Sequence, residues 1–270
     1  MKLLDELRWS SAVLRLAIPN AVTLLAMYAG LTAIRLAVDG KFAGAVVALA
    51  ASGVADRLDG AVARLLRAAS RFGAELDSFA DLVSFGVAPA LIMYLWTLQS
   101  YGGWGFLLAV FYIVCAFYIV CAALRLTRFN LASEAGPKSD YARHFYTGMT
   151  SPPGAGIAIF PLLAALEADA IGWQSVSGFS RAPLVAAVSL VLSGLLMISP
   201  FPLLDFVHVR IPMVAKLSAL AAFLVLMVVQ PWLGLMILTP FALFMLAISP
   251  SALRRRRAEM VERSPLSSPL

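Results

Sequence analysis

Four aspartates, Asp56, Asp59, Asp77 and Asp81, are the residues of this chain best suited to chemistry. They fall in Asp56-Arg57-Leu58-Asp59-Gly60-Ala61-Val62-Ala63-Arg64 and Gly73-Ala74-Glu75-Leu76-Asp77-Ser78-Phe79-Ala80-Asp81, with eight residues between the two runs. On a helix, residues three or four apart share a face, so Asp56 pairs with Asp59 and Asp77 with Asp81. Two such helices facing each other converge four carboxylates on one point. That much negative charge repels itself and raises carboxyl pKa values unless a cation balances it. Hard oxygen donors select magnesium, manganese or calcium over zinc. The spacing therefore predicts a divalent-metal site, with Asp56, Asp59, Asp77 and Asp81 as ligands. A solvated acidic face is the alternative, and the apolar surroundings argue against it.

The elements that position these residues must be membrane helices. The chain has 270 residues, 61% hydrophobic and 13% charged, with a mean hydropathy of +0.87. A soluble domain is about half apolar and a quarter charged, so the composition indicates an integral membrane protein. Apolar stretches fall at 15–37, 42–63, 78–98, 104–124, 147–166, 182–200, 212–230 and 232–249. A crossing takes about 20 residues, so the sequence predicts an all-α, polytopic bundle of about eight transmembrane helices. Pro152, Pro153 and Pro161 interrupt the fifth. Residues 1–250 read as one transmembrane domain and 251–270 as a basic, disordered tail. The N-terminal charges Asp5, Glu6 and Arg8 argue against a cleavable signal peptide.

Charge sets the expected orientation. Lys2, Arg8 and Arg15 precede the first stretch, and Arg57, Arg64, Arg67 and Arg71 follow the second. Arg125, Arg128, Lys138 and Arg143 follow the fourth, His208 and Arg210 the sixth, and Arg254–Arg257 the eighth. The alternate connections hold only Lys41 and Arg181. The positive-inside rule puts both termini and the aspartates in the cytoplasm of a bacterial-type inner membrane. The net charge of +6 follows from this asymmetry. No nucleic-acid partner is expected, because basic and aromatic residues are not interleaved in any soluble segment. Cys115 and Cys121, six positions apart on one helix, point to different faces and cannot pair. His144 and His208 read as interfacial residues.

The second helix runs apolar to Gly53, then turns polar without a breaker. The short connection from Leu65 to Phe72 predicts that it lies side by side with the third, antiparallel. Gly60, Ala63 and Gly73 then leave room beside the metal for something flat or bulky, or permit close helix packing.

The run Asp56-x-x-Asp59-Gly60-x-x-Ala63-Arg64, eight residues, then Gly73-x-x-x-Asp77-x-x-x-Asp81, resembles the signature of the CDP-alcohol phosphatidyltransferase family at each of its eight fixed positions. Further segments look like the branch of that family that uses serine. These are Pro19-Asn20-Ala21-Val22-Thr23, Val83-Ser84-Phe85-Gly86-Val87-Ala88-Pro89-Ala90, Leu124-Arg125-Leu126-Thr127-Arg128-Phe129-Asn130, and Gly148 with Ser151-Pro152-Pro153. The resemblance covers about residues 15–215 and departs at Met149-Thr150, where Leu-Pro is expected.

The resemblance implies CDP-diacylglycerol as phosphatidyl donor, L-serine as acceptor, and two divalent ions, Mn2+ or Mg2+, with Ca2+ as a further option. It implies that Asp56, Asp59 and Asp77 hold the metals, and that Asp81 is a shared ligand and the general base. Asn20, Thr23, Gly60, Ala63, Arg64 and Gly73 become nucleotide and pyrophosphate contacts. Arg125, Arg128, Asn130 and Ser84 become acceptor-site candidates, arginine suiting a carboxylate through its planar fork. Dimerisation is common in the family, so a homodimer is part of the expectation.

Other acceptors (glycerol 3-phosphate, inositol phosphate, choline) remain compatible with the aspartate run. An intramembrane prenyltransferase would carry two separated Asp-rich motifs, and nothing similar stands near Asp205. A cation transporter would place carboxylates near the bilayer midplane and show an internal repeat. A covalent phosphatidyl-histidine route would need a His-x-Lys pair, which neither His144 nor His208 forms.

Overall fold

The computed structural model describes residues 2–68, 70–101, 105–134, 145–147, 149–199, 202–204 and 229–237. Among them, residues 231–237 are helical, and nine further α-helices precede that stretch. They are α1 (Lys2–Val38), α2 (Phe42–Leu66), α3 (Arg71–Asp81), α4 (Ala88–Tyr101), α5 (Gly105–Glu134), α6 (Ser151–Ala158), α7 (Phe160–Ile171), α8 (Gln174–Ser180) and α9 (Pro183–Ile198). A π-helical segment, Leu82–Val87, joins α3 to α4 without a break. Two three-residue strands, β1 (Phe145–Thr147) and β2 (Pro202–Leu204), pair antiparallel with Tyr146 opposite Leu203. The architecture is helical, as the composition requires.

Three stretches are long and apolar enough to cross a membrane: Ala17–Val38, Arg71–Ser100 and Gly105–Ala132. Two bent pairs, α6 with α7 (54°) and α8 with α9 (58°), raise the number to five if each is one span. The expected eight is therefore not reached among the described residues. The second expected span falls short because α2 is apolar only in its first half; Asp56, Arg57 and Asp59 enter before a full crossing is complete. The fifth is broken where the prolines predicted trouble: α6 ends at Ala158, and Pro161 opens α7. The expected seventh span, most of the eighth, the tail 251–270, Gly148, Lys138, Arg143, His144, His208, Arg210 and Arg254–Arg257 lie outside the described residues.

Small residues let the first two helices approach closely. Ala33 and Ala37 of α1 and Ala45, Val46 and Leu49 of α2 are buried in the shared core. The Ala26 carbonyl accepts hydrogen bonds from Ser52 of α2 (2.8 Å) and from Ser84 of the π segment (3.4 Å). Gly30 completes this contact: a Cβ there would stand 2.5 Å from Ser84 Oγ and 2.9 Å from Ser84 Cα. The core continues through Ile92, Met93 and Trp96 of α4 and Phe111 and Tyr118 of α5. It is closed by Leu162 and Leu163 of α7 and Leu190 of α9. Cys115 and Cys121 are buried free thiols, as their spacing required.

The expected side-by-side packing of α2 on α3 is replaced by a different arrangement. Both helices lie against α1, and they make little backbone contact with one another. The chain turns between them in four residues. Arg67, at φ 51°, ends α2 in the left-handed conformation, and Ala68 N–H reaches back to Ala63 O at 2.9 Å. Ser70 then caps α3, its hydroxyl accepting from Gly73 N–H at 3.0 Å.

Candidate active site

The gap between α2 and α3 is where the carboxylates meet. Asp56, Asp59 and Asp77 each offer an oxygen, and the three oxygens lie within 4.8 Å of one another. Asp59 is buried, Asp56 half-buried and Asp77 exposed, so the cluster runs from the helix interface to the surface. Like charges at that separation repel by about 1 kcal/mol per pair in a water-like medium and about 3 kcal/mol at an effective dielectric near 20. Burial pushes the Asp56 carboxyl above the usual carboxylate range, against the lowering effect of Asp81 and of the Arg57 charge. Burial raises Asp59 as well; the adjacent Thr23 side chain opposes this, and the neighbouring Asp56 charge adds to it.

Two carboxylate oxygens here, Asp59 Oδ2 and Asp81 Oδ1, are buried without any hydrogen-bond partner. An orphaned carboxylate oxygen in an apolar wall costs several kcal/mol, roughly, unless something cationic meets it. An all-oxygen donor set with orphaned atoms is what a hard divalent cation fits. The residues present are therefore suited to such an ion.

Asp81 stands at the end of α3, where the π segment begins. Its carboxyl neighbours that of Asp56, and its Oδ2 lies 3.9 Å from Arg125 Nη1. It is not among the three whose oxygens converge, and it occupies the side of the cluster nearest α5. Four residues after Phe85 in the π segment that follows stands Pro89, which has no N–H to give the Phe85 carbonyl. Tyr118, fully buried on α5, donates to it at 2.7 Å.

The remaining candidates divide. Thr23 is buried against Asp59, with its own hydroxyl bonded to Pro19 O at 3.2 Å. Asn20 lies one turn earlier and faces Gly73: a Cβ on Gly73 would come within 3.0 Å of Asn20 Oδ1 and 3.1 Å of Ser70 Oγ. Gly73 thus permits close approach of α1 and α3 beside the cluster. A Cβ on Gly60 would meet only Arg64 Nη1, at 3.4 Å, so Gly60 faces open space, and Arg64 is exposed over it. Ala63 lies on the same stretch of α2 and accepts the capping bond from Ala68.

Of the four acceptor candidates, the structure brings Arg125 to the cluster. It is nearly buried, contacts Ser151 Oγ through Nη1, and packs over the Phe129 ring at 5.9 Å. Arg128 turns the other way, donating to Ile198 O (3.0 Å) and Ser199 O (3.3 Å) at the end of α9. Asn130 exchanges hydrogen bonds with Ser78, the residue after Asp77, at 3.0 and 3.1 Å. Ser84 is buried in the α1 contact, away from the carboxylates' open side. Ser151, fully buried at the start of α6, is a site residue that reading for acids and bases overlooks. Its signal was the Ser151-Pro152-Pro153 run that fixes a helix start.

Residues 16–260 match the CDP-alcohol phosphatidyltransferase family. The chain is 38% identical over 179 residues to a CDP-diacylglycerol–serine O-phosphatidyltransferase of Mycobacterium tuberculosis, an alignment covering 66% of this chain and 59% of that protein. It is 36% identical over 215 residues to the protein of the same name from Mycobacterium leprae, covering 77% and 67%. The Bacillus subtilis protein of that name is 39% identical over 114 residues, covering 42% and 61%. The chain thus spans 59% of the length of the Mycobacterium tuberculosis relative. With the aspartates converged between α2 and α3 and the family match running over nearly the whole sequence, this integral membrane protein belongs to the CDP-alcohol phosphatidyltransferase family.

Proposed function

We propose that the chain transfers the phosphatidyl group of CDP-diacylglycerol to L-serine, forming phosphatidylserine and CMP. The observation that carries this reading is the convergence of Asp56, Asp59 and Asp77 oxygens in a chain whose relatives bear the name of that activity. The cluster faces the cytoplasm in this reading, as the basic connections favour.

Asp56, Asp59 and Asp77 would hold divalent ions, Mg2+ or Mn2+, with Asp81 at the edge of the set. Bound there, a cation pair supplies charge neutralisation for the pyrophosphate and for the departing CMP. The protein's own part is mainly positioning, since phosphoryl transfer asks little covalent help. Asn20, Thr23, Gly73 and the open face of Gly60, Ala63 and Arg64 border the side of the cluster where the nucleotide and pyrophosphate fit. The Arg125 guanidinium is oriented by Asp81, Ser151 and Phe129, and it takes the serine carboxylate. Asp81, beside Arg125, then accepts the serine hydroxyl proton at a carboxylate oxygen. The serine Oγ–phosphorus bond forms at the diacylglycerol-bearing phosphate, and the bond from that phosphorus to the CMP oxygen breaks. Arg128, Asn130 and Ser84 brace α5, α3 and the π segment, a role their observed partners support better than acceptor contact.

The test is incubation of the purified full-length protein with CDP-diacylglycerol, manganese or magnesium, and a panel of alcohols. Lipid chromatography should show phosphatidylserine formed with serine. Turnover with glycerol 3-phosphate or inositol phosphate but not serine would keep the family and overturn the acceptor.

A further inference from the structure

A cavity opens at the end of the bundle away from the aspartates. The described connections at that end, 39–41, 172–173 and 181–182, contain two basic residues, Lys41 and Arg181. Both line one cavity of about 540 Å³, together with Gln99, Ser100, Trp96 and the first turn of α2. The positive-inside asymmetry depletes this end of cations, yet its two basic connection residues come from separate connections to the same place.

The cavity's chemistry is that of an anion site with an apolar side. Arg181 is held in position: Nη2 donates to Asp169 Oδ2 at 2.6 Å and Nε to Ser177 Oγ at 3.2 Å. Ser177 in turn donates to the other Asp169 oxygen at 2.5 Å. Asp169 pairs with Arg181, while Lys41 has no ion-pair partner among the described residues; Asp39, two residues before it, is exposed and outside the cavity lining. Lys41 also opens α2 without any side-chain cap. Phe42, Ala43 and Gly44, the first turn of this 25-residue helix, line the cavity, and a helix start carries N–H donors and positive potential. Gly40, at φ 74°, lets the turn pass beneath Gln99: a Cβ there would stand 3.1 Å from Gln99 Nε2. Phe42, Leu166 and buried Trp96 supply the apolar side. Asp59 lies 18 residues beyond Lys41 along α2, roughly 27 Å away at about 1.5 Å per residue, so the cavity is a separate site near the opposite bilayer surface.

We infer that this cavity binds a phosphate group, presented by an anionic phospholipid of the leaflet opposite the aspartate cluster. The phosphate oxygens meet Lys41, Arg181 and the α2 N–H groups, and the glycerol and first acyl carbons meet Trp96 and Leu166. This inference does not depend on the transferase reading.

The experiment is calorimetric titration of the purified full-length chain in neutral detergent, with chelator present so that the bare carboxylates at the far end repel the ligand. One arm uses short-chain phosphatidylglycerol and the other inorganic phosphate. Saturable lipid binding is expected, weakened at least five-fold by Lys41→Gln and restored by Lys41→Arg. Lys41 is exposed, so the unfolding temperature of Lys41→Gln should match the parent and certify its fold. Lys41→Glu should abolish binding. Inorganic phosphate binding with the same dependence on Lys41 would sustain the phosphate site and assign it to the free ion. Binding of equal strength in the parent and Lys41→Gln, or no saturable binding of either ligand, would overturn the inference.

Discussion

Arg125 Nη1 stands 3.9 Å from Asp81 Oδ2, with Ser151 on the same nitrogen. The pair links α5 to the end of α3 at the edge of the carboxylate cluster. An arginine held this way keeps donors of its fork for a second carboxylate, and a proton acceptor stands beside it. For an amino-acid acceptor that is the required pairing: one group for the carboxylate, one for the hydroxyl.

Arg125→Gln should therefore raise the KM for serine by roughly 10- to 100-fold, the equivalent of about 1.5–3 kcal/mol for charged hydrogen bonds. The KM for CDP-diacylglycerol should move little. Arg125→Lys should recover only part of the loss, because an ammonium cannot reproduce the fork. Steady-state kinetics with each substrate varied in turn checks this. An unchanged serine KM in Arg125→Gln would remove Arg125 from the acceptor site.

The aspartates should separate by role. Asp77→Asn replaces a converging oxygen donor and should lose Mn2+ affinity and turnover together. Asp81→Asn should hold the metal and CDP-diacylglycerol with nearly unchanged affinity while the single-turnover rate collapses. Manganese titration followed by electron spin resonance, with single-turnover rates on the same samples, distinguishes them. If Asp81→Asn loses metal as completely as Asp77→Asn, Asp81 is a ligand first and the proton goes elsewhere.

The aspartate spacing made the site legible, because residues three and four apart on a helix share a face whatever the helix packs against. Which helix they pack against was not legible. The short turn at Arg67–Ser70 suggested direct contact of α2 with α3, but α1 lies against both, with Ala33 and Ala37 in the core it shares with α2 and Asn20 facing Gly73 of α3. The partners of Arg128 and Arg125 were equally hidden. Three residues apart on α5, they face different neighbours, and only the bend near Ala158–Phe160 and the fall of α9 decide which one meets the cluster. The π turn left no mark in hydropathy, since Leu82–Val87 is as apolar as the helix around it.

Tyr118 supports that π turn through its bond to Phe85 O. Tyr118→Phe leaves the carbonyl buried without a partner, so the fold should lose about 1–3 kcal/mol. The expected outcome is a lower thermal midpoint in detergent, with a reduced rate because the turn sets the direction of Asp81. A midpoint equal to the parent's would show that the carbonyl finds another donor.

Gly30 should tolerate no side chain. Gly30→Ala puts a methyl 2.9 Å from a backbone atom of the π segment, and overpacking of this kind costs about 1–3 kcal/mol. Gly178→Ala is the matched control, as a Cβ there meets nothing within 4 Å. Thermal unfolding of the two variants side by side should show a clear loss for the first and none for the second.

The central claim is that the carboxylate cluster, loaded with a divalent cation, moves a phosphatidyl group onto serine. Its most direct measurement is transfer of radiolabelled serine into lipid by the purified protein, with CMP release counted in the same reaction. The account predicts equal amounts of lipid-bound serine and CMP, abolished by EDTA, restored by manganese or magnesium, and absent in Asp59→Asn. Labelled lipid formed at full rate in chelator, or by Asp59→Asn, would contradict it.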